Sequence, residues 1–189
     1  DVWLAPSVNI HRYPLCGRNF EYYSEDPLIS GIMSSALIKG VEKHGIACSI
    51  KHFVANEKEY KRSEMSSNVS ERALREIYLV PFEMGVEAGV SMVMTSYNKL
   101  NGTETAESAE LLRGILRGEW GFGGMVTTDW SNDSSLVNEV IAGNNVKSSG
   151  SEDKLDSTPL KKAVANGTIS RSLLIENATY VMNLLAKMP

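Results

Sequence analysis

Apolar residues along this chain gather into four short runs, separated by stretches with helical spacing. The first, "DVWLAPSVNI" (1–10), starts apolar and ends polar before His11 and Arg12. Ala47 to Ile50 form the second, "SMVMTSYN" (91–98) the third, and "GGMVTTDW" (123–130) the fourth. Short apolar runs bounded by glycine or polar residues read as buried strands. Between them, Pro27 to about His44 carries apolar residues at helical spacing, with Gly45 as the stop. Ser70 is placed to cap "SERALREIYL", Pro81 to start or kink a segment reaching about Ala88, and Ser108 to cap "AELLRGILRGEW". Strands alternating with helices, over connections long enough for right-handed crossovers, predict an α/β fold with a parallel sheet.

The polar ends of the runs carry the candidate chemistry. A strand buried on both faces has no place for a charge in its middle, so Asp129 is expected where its strand emerges. All four runs finish on reactive or hydrogen-bonding groups: Asn9 and His11, Lys51 and His52, Tyr97 and Asn98, Asp129 and Trp130. One such end means little, but together they predict a shared mouth at the carboxyl edge of the sheet, where α/β folds bind ligands. A carboxylate beside an indole suits sugar chemistry, with an anion for a developing cation and a flat ring for a sugar to lie on. On that stretch alone, Asp129 serves equally well as a cap for a helix following "DWSNDS". The connection "HRYPLCGRNFEYYSEDP" exceeds the ~12 to 15 residues beyond which unstructured loops become uncommon. Its aromatic residues argue against disorder, and it is expected to order over the site. A second long polar loop is "VANEKEYKRSEMSSNV".

After Trp130 the pattern predicts a helix in "SLVNEVIAGN", a polar flexible connection in "NVKSSGSEDKLDS", and a short helix in "PLKKAVANGTIS" stopped by Gly167. A last helix over 171–187, capped by Ser170, carries a core stripe of Leu173, Leu174, Tyr180, Val181 and Leu184. A length of 189 residues, 42% hydrophobic and 22% charged, suits one globular domain. The net charge of −4, without a Lys/Arg block, gives no surface for nucleic acid. No run reaches the ~18 to 20 apolar residues of a membrane span. The chain enters an apolar run directly after Asp1, which reads as a cut edge with no signal peptide and leaves the compartment unknown, with a weak lean to the cytoplasm. Cys16 and Cys48 are expected as reduced thiols, and their spacing from the three histidines predicts no zinc site; no cofactor is expected.

Six segments, "NIHRYPLCGRNFEYYSEDP", "KHFVANE", "VSERALREIYLVPFE", "MTSYNKLNG", "LRGEWGF" and "VTTDW", occur in one order over residues 1 to about 143. Together they resemble glycoside hydrolase family 3 in its β-glucosidase-like branch. The resemblance implies a (β/α)8 TIM-type barrel, of which about half the strands lie here, and retaining hydrolysis of β-linked sugars. It implies Asp129 as nucleophile and Arg18, Lys51, His52 and Arg62 as donors to the hydroxyls of the cleaved sugar. Tyr97 would stand beside the nucleophile and Trp130 near the next sugar position. Retaining hydrolysis needs a second carboxyl group ~5 to 5.5 Å from the nucleophile. Cations at Arg18, Lys51 or Arg62 are expected to lower the Asp129 pKa. Lys51 and His52 are adjacent, so a regular strand would point them to opposite faces; the strand is expected to end or twist there.

The resemblance also implies missing parts, namely earlier barrel strands and a following α/β domain that supplies the acid/base glutamate. Glu57 and Glu59 lie in a mouth loop but do not match that glutamate. The expected divisions are a partial barrel over 1–146, a flexible connection over 147–158, and helices over 159–189 that close the barrel. After "AGN" the family continues with an Asp and an apolar strand, whereas this chain reads "NNVKSSGSED", which puts the next strand in doubt. β-Xylosidase or arabinosidase activity, or a non-catalytic carbohydrate-binding remnant, are the alternatives. The N-acetylglucosaminidase branch fits less well, because "KHFVANEKEY" lacks the histidines of that branch's loop.

Overall fold

A computed structural model describes residues 1–150 and 155–188. Its main sheet has four parallel strands: β1 (Val2–Trp3), β2 (Ala47–Phe53), β4 (Met92–Thr95) and β7 (Met125–Thr127), in the order β1-β2-β4-β7. Helix α1 (Pro27–Glu42) links β1 to β2. A helical run α2, made of Glu71–Ala73, Leu74–Tyr78 and Val80–Glu87, precedes β4, and α3 (Glu110–Glu119) precedes β7. Then follow α4 (Leu136–Ala142), α5 (Thr158–Ala165) and α6 (Arg171–Lys187). The expected α/β fold with a parallel sheet is what the chain forms.

Local chemistry sets the helix boundaries. The Asp26 carboxylate accepts from Leu28 N at 2.7 Å and Ile29 N at 3.2 Å, just ahead of Pro27 at the first helical position. Ser70, Ser108 and Ser170 each accept from a backbone N–H three residues on, at 3.2, 3.3 and 3.1 Å. The turn before Pro81 is widened: Leu79 N donates to Leu74 O, five residues back, at 2.9 Å. Strands β2, β4 and β7 are apolar because both of their faces are covered. Ile50, Phe53, Val93 and Val126 pack with Phe82, Leu112 and Leu116 in one core. The Phe53 ring meets Phe82 edge-on at 5.1 Å and Trp120 at 6.1 Å between centroids.

The structure departs from the sequence reading in three places. The first run is strand only at Val2–Trp3, with a further bridge between Ser7 and Lys51. Pro6 has no N–H for the ladder, so pairing resumes only from its carbonyl, which accepts from Lys51 N at 2.9 Å, and Val8 N then donates to Lys51 O at 2.8 Å. Strand β2 runs three residues beyond Ile50, to Phe53. A second sheet, β3 (Ser66–Ser67), β5 (Lys99–Leu100) and β6 (Thr103–Glu104), was not expected. Its β5–β6 hairpin turns on Asn101 and Gly102, both at positive φ (48° and 90°), the two-residue turn that suits an Asn-Gly pair.

Beyond β7 the sheet gains a single residue. Val146 bridges Thr127 in parallel, and Thr128 N donates to Val146 O at 3.0 Å. The polar sequence that follows offers nothing apolar to extend it. Lys147 instead turns inward, its Nζ 2.6 Å from Glu139 Oε1 and 2.6 Å from Ser134 O. Of the connection expected over 147–158, residues 151–154 lie outside the described residues.

The fold places β7 by a close approach. A Cβ on Gly124 would lie 2.3 Å from Ser91 O, which also accepts from Met125 N at 3.1 Å. Gly124→Ala should therefore destabilise the protein by about 1–3 kcal/mol, the cost of overpacking, read as a lowered urea midpoint.

Candidate active site

The parallel strands end together at one edge, and the loops leaving that edge bring charged groups over it. Asp129 stands just beyond β7 and is 6% exposed. Its Oδ1 accepts from Trp130 N at 2.8 Å, which fixes the plane of the carboxylate. Its Oδ2 is buried without a hydrogen-bond partner, 3.6 Å from His52 Nε2 and 3.9 Å from Arg18 Nη1. Burial raises the Asp129 pKa, and the opposing pull of the Trp130 N–H and the Arg18 charge does not cancel it. The expectation that nearby cations would hold this pKa down is thus reversed, because desolvation exceeds their attraction.

His52 is 1% exposed. Asn9 brackets its backbone, accepting from His52 N and donating to His52 O, both at 2.9 Å. Those two bonds fix which end of the Asn9 amide is oxygen. That oxygen also lies 3.3 Å from His52 Nδ1, which can donate to it as the Nδ1–H tautomer. Burial first, then Arg18, Lys51 and Arg62, pushes the His52 pKa well below 6.5, which favours the neutral ring. In the Nδ1–H tautomer, Nε2 offers a lone pair on the side of Asp129.

The pairing of β2 with β4 shifts register between Ile50 and Phe53, so the regular strand is interrupted at Lys51 and His52 as expected. Lys51 Nζ lies 3.8 Å from Glu21 Oε2. Burial lowers the Lys51 pKa, and Glu21 offsets part of that. Arg18 opens a single 3₁₀ turn, Asn19–Glu21, which brings its Nε onto Glu21 Oε1 three residues later. Ser7 Oγ donates to Glu21 Oε2 at 2.5 Å. The long first loop is ordered, as expected: His11 Nε2 bonds Asn19 O at 3.0 Å, and Tyr22 Oη donates to Asn56 O at 3.2 Å.

Arg62 pairs with Glu59 at 2.5 Å and stacks its guanidinium 4.1 Å from the centre of the Tyr97 ring. Tyr97 Oη donates to Trp130 O at 2.7 Å, and the Trp130 side chain is left 42% exposed beside the carboxylate. The structure therefore gathers Asp129, Arg18, Lys51 and His52, with Arg62, Tyr97 and Trp130 linked along one side. Asn9, His11 and Asn98 brace backbone instead, Asn98 Nδ2 donating to Val54 O at 3.1 Å. Glu59 is committed to Arg62. Glu57 is buried against Ile10 N at 3.4 Å, and burial pushes its pKa up to about 7. Glu21 was missed; its only signal was the spacing of three from Arg18. Among the described residues no His/Cys/Asp/Glu cluster is arranged to hold a metal, and no helix is long and apolar enough to cross a membrane.

Parallel strands ending on a half-wrapped buried carboxylate, a neutral imidazole and two close cations define an α/β domain with its site at the carboxyl edge of the sheet. The chain belongs to glycosyl hydrolase family 3, whose N-terminal domain model matches residues 1–184. It is 48% identical over 189 residues to a β-glucosidase of Rhizobium radiobacter, covering 99% of this chain and 23% of that protein. To β-glucosidase A of Butyrivibrio fibrisolvens it is 50% identical over 147 residues, 77% of this chain and 18% of that one. The structure of β-glucosidase 3B from Thermotoga neapolitana in complex with glucose superposes over the whole chain with a TM-score of 0.96 at 44% identity. The chain covers 27% of that structure, so it spans about a quarter of the length of such relatives.

Folding raises the Asp129 pKa above its ordinary 3.8, so the ionised carboxylate costs stability at neutral pH. Asp129→Asn should therefore raise the thermal midpoint at pH 7. The gain should shrink as pH falls through the raised value and vanish below 3.8, where the folded and unfolded carboxyls are both protonated. Paired melting curves across pH would check this.

Proposed function

We propose that this chain is the nucleophile-bearing part of a retaining β-glycosidase of β-glucosidase type. The observation that carries this reading is the Asp129 carboxylate, with one oxygen tied to Trp130 N and the other buried, partnerless and flanked by Arg18 and His52. In the proposed reaction, Oδ2 attacks the anomeric carbon while the bond to the leaving oxygen breaks. That oxygen takes its proton from an acid/base residue outside this chain. Water then attacks the same carbon, gives its proton to that residue and releases Asp129 with retained configuration.

Arg18, Lys51 and Arg62 donate to the sugar hydroxyls, and His52 Nε2 accepts from one. Tyr97 holds the Trp130 carbonyl, and the exposed indole meets the next sugar. A carboxylate raised by burial must still be ionised to attack, so the acidic limb of activity should lie above 3.8. The names of the relatives support glucosides as substrates; xylosides and arabinosides are the near alternatives. We further propose that the four strands are part of a (β/α)8 barrel completed by other segments of the protein, with 1–146 as barrel and 159–189 as the helices closing it. General acid/base assistance is worth ~10² to 10⁴ in rate, so the isolated chain should be slow.

Treating the natural full-length protein with an activated 2-deoxy-2-fluoro-glucoside should add one sugar mass that maps to Asp129. The fluorine slows release of the glycosyl-enzyme. Asp129→Asn should abolish the label and lower kcat roughly 10³-fold or more. A label on another residue would overturn the nucleophile assignment. A folded protein that takes no glucosyl, xylosyl or arabinosyl label would favour a binding-only remnant.

A further inference from the structure

Glu21 touches more of the site's cations than Asp129 does, yet it lies in a loop and has no counterpart among the groups that would contact a sugar. Its two oxygens are divided: Oε1 takes Arg18 Nε, while Oε2 takes Ser7 Oγ at 2.5 Å and faces Lys51 Nζ at 3.8 Å. Ser7 is itself anchored to the sheet by its bridge with Lys51. Glu21 thus connects the first loop to the strand that carries Lys51 and His52. Because Glu21 occupies the Nε side of the Arg18 guanidinium, the Nη groups are left to point inward, Nη1 towards Asp129 Oδ2 at 3.9 Å.

We propose that Glu21 is a positioning residue of this site, which aims Arg18 at the sugar and holds the Lys51 ammonium beside it. The inference rests on the glycosidase reading above. Arg18 left without Glu21 would have several rotamers open to it, among them one that pairs with Asp129 directly and closes off the oxygen meant for the anomeric carbon. The ionised state needed for this role is the stable one: burial works against it, but the Arg18 and Ser7 hydrogen bonds overcome that and hold the Glu21 pKa below its ordinary value. The charged groups facing Lys51 are Glu21 and Arg18 from the first loop and Asp129 from the end of β7. Glu21 is the one that most favours the ammonium; without it, burial and Arg18 draw the Lys51 pKa further down.

The test uses the full-length protein and three forms: wild type, Glu21→Gln and Glu21→Asp. Glu21→Gln keeps the shape but removes the charge. It should lower kcat/KM roughly 10²-fold, the scale of a misaimed binding group, at an unchanged melting temperature. Glu21→Asp keeps the charge but cannot span Arg18 and Ser7 together. It should recover part of that loss. A merely structural glutamate would lower activity and melting temperature together, and that result overturns the proposal. So does wild-type kcat/KM in both variants. If Glu21→Gln fails to fold, Glu21→Asp decides alone: a tenfold or greater loss at an unchanged melting temperature supports the proposal, and undiminished activity overturns it. The fluoro-sugar label on the wild type separates the two readings. A label at Asp129 with indifferent Glu21 variants sinks only the positioning role, and a missing label sinks both.

Discussion

The structure turns on a carboxylate taken out of water and left half-answered. Burying Asp129 costs free energy that its neighbours do not return, since its pKa ends above the ordinary value despite Arg18 and the Trp130 N–H. Such a group persists only where the surrounding fold fixes it. Here the fixing comes from the register of β7 on β4, with Met92 opposite Met125 and Val93 opposite Val126, which sets where the chain leaves the sheet. The close pass of Gly124 over Ser91 O leaves that register no slack.

The loops above the sheet answer the same constraint. A lone cation beside Asp129 would pair with it and occlude it. The cations are instead divided among other acceptors: Arg18 and Lys51 lean on Glu21, and Arg62 leans on Glu59 and the Tyr97 ring. Arg18 and Arg62 still act on Asp129 as positive charges, while Oδ2 keeps no hydrogen-bond partner. Beneath the following loop, Lys147 and Glu139 form a second buried pair that ties Ser134 to α4, so the segment after Trp130 is held from below.

Much of this was legible because it is written in local patterns. The strand ends, the serine caps and the Gly167 stop each follow from one residue type at one position, and the ordered motifs pointed to the family. What was not legible depends on distance in space. The direction of the Asp129 shift required knowing how much burial opposes the cations, which no spacing reveals. Glu21 looked like one acidic residue in a polar loop, because its partners Ser7 and Lys51 lie 14 and 30 positions away (21 − 7 and 51 − 21). The β5–β6 hairpin had a readable signal in Asn101-Gly102, but its strands of two residues are too short to show a period.

The bracket that Asn9 makes around His52 reaches beyond holding a ring in place. Since the main chain of His52 dictates which end of the Asn9 amide is oxygen, it also favours the hydrogen on the imidazole nitrogen nearer that oxygen. The lone pair offered beside Asp129 is therefore a property of the backbone rather than of the solution. Over the whole range in which the imidazole stays neutral, a ligand meets the same polarity at that point, and a group with no hydrogen to give finds two acceptors and no welcome.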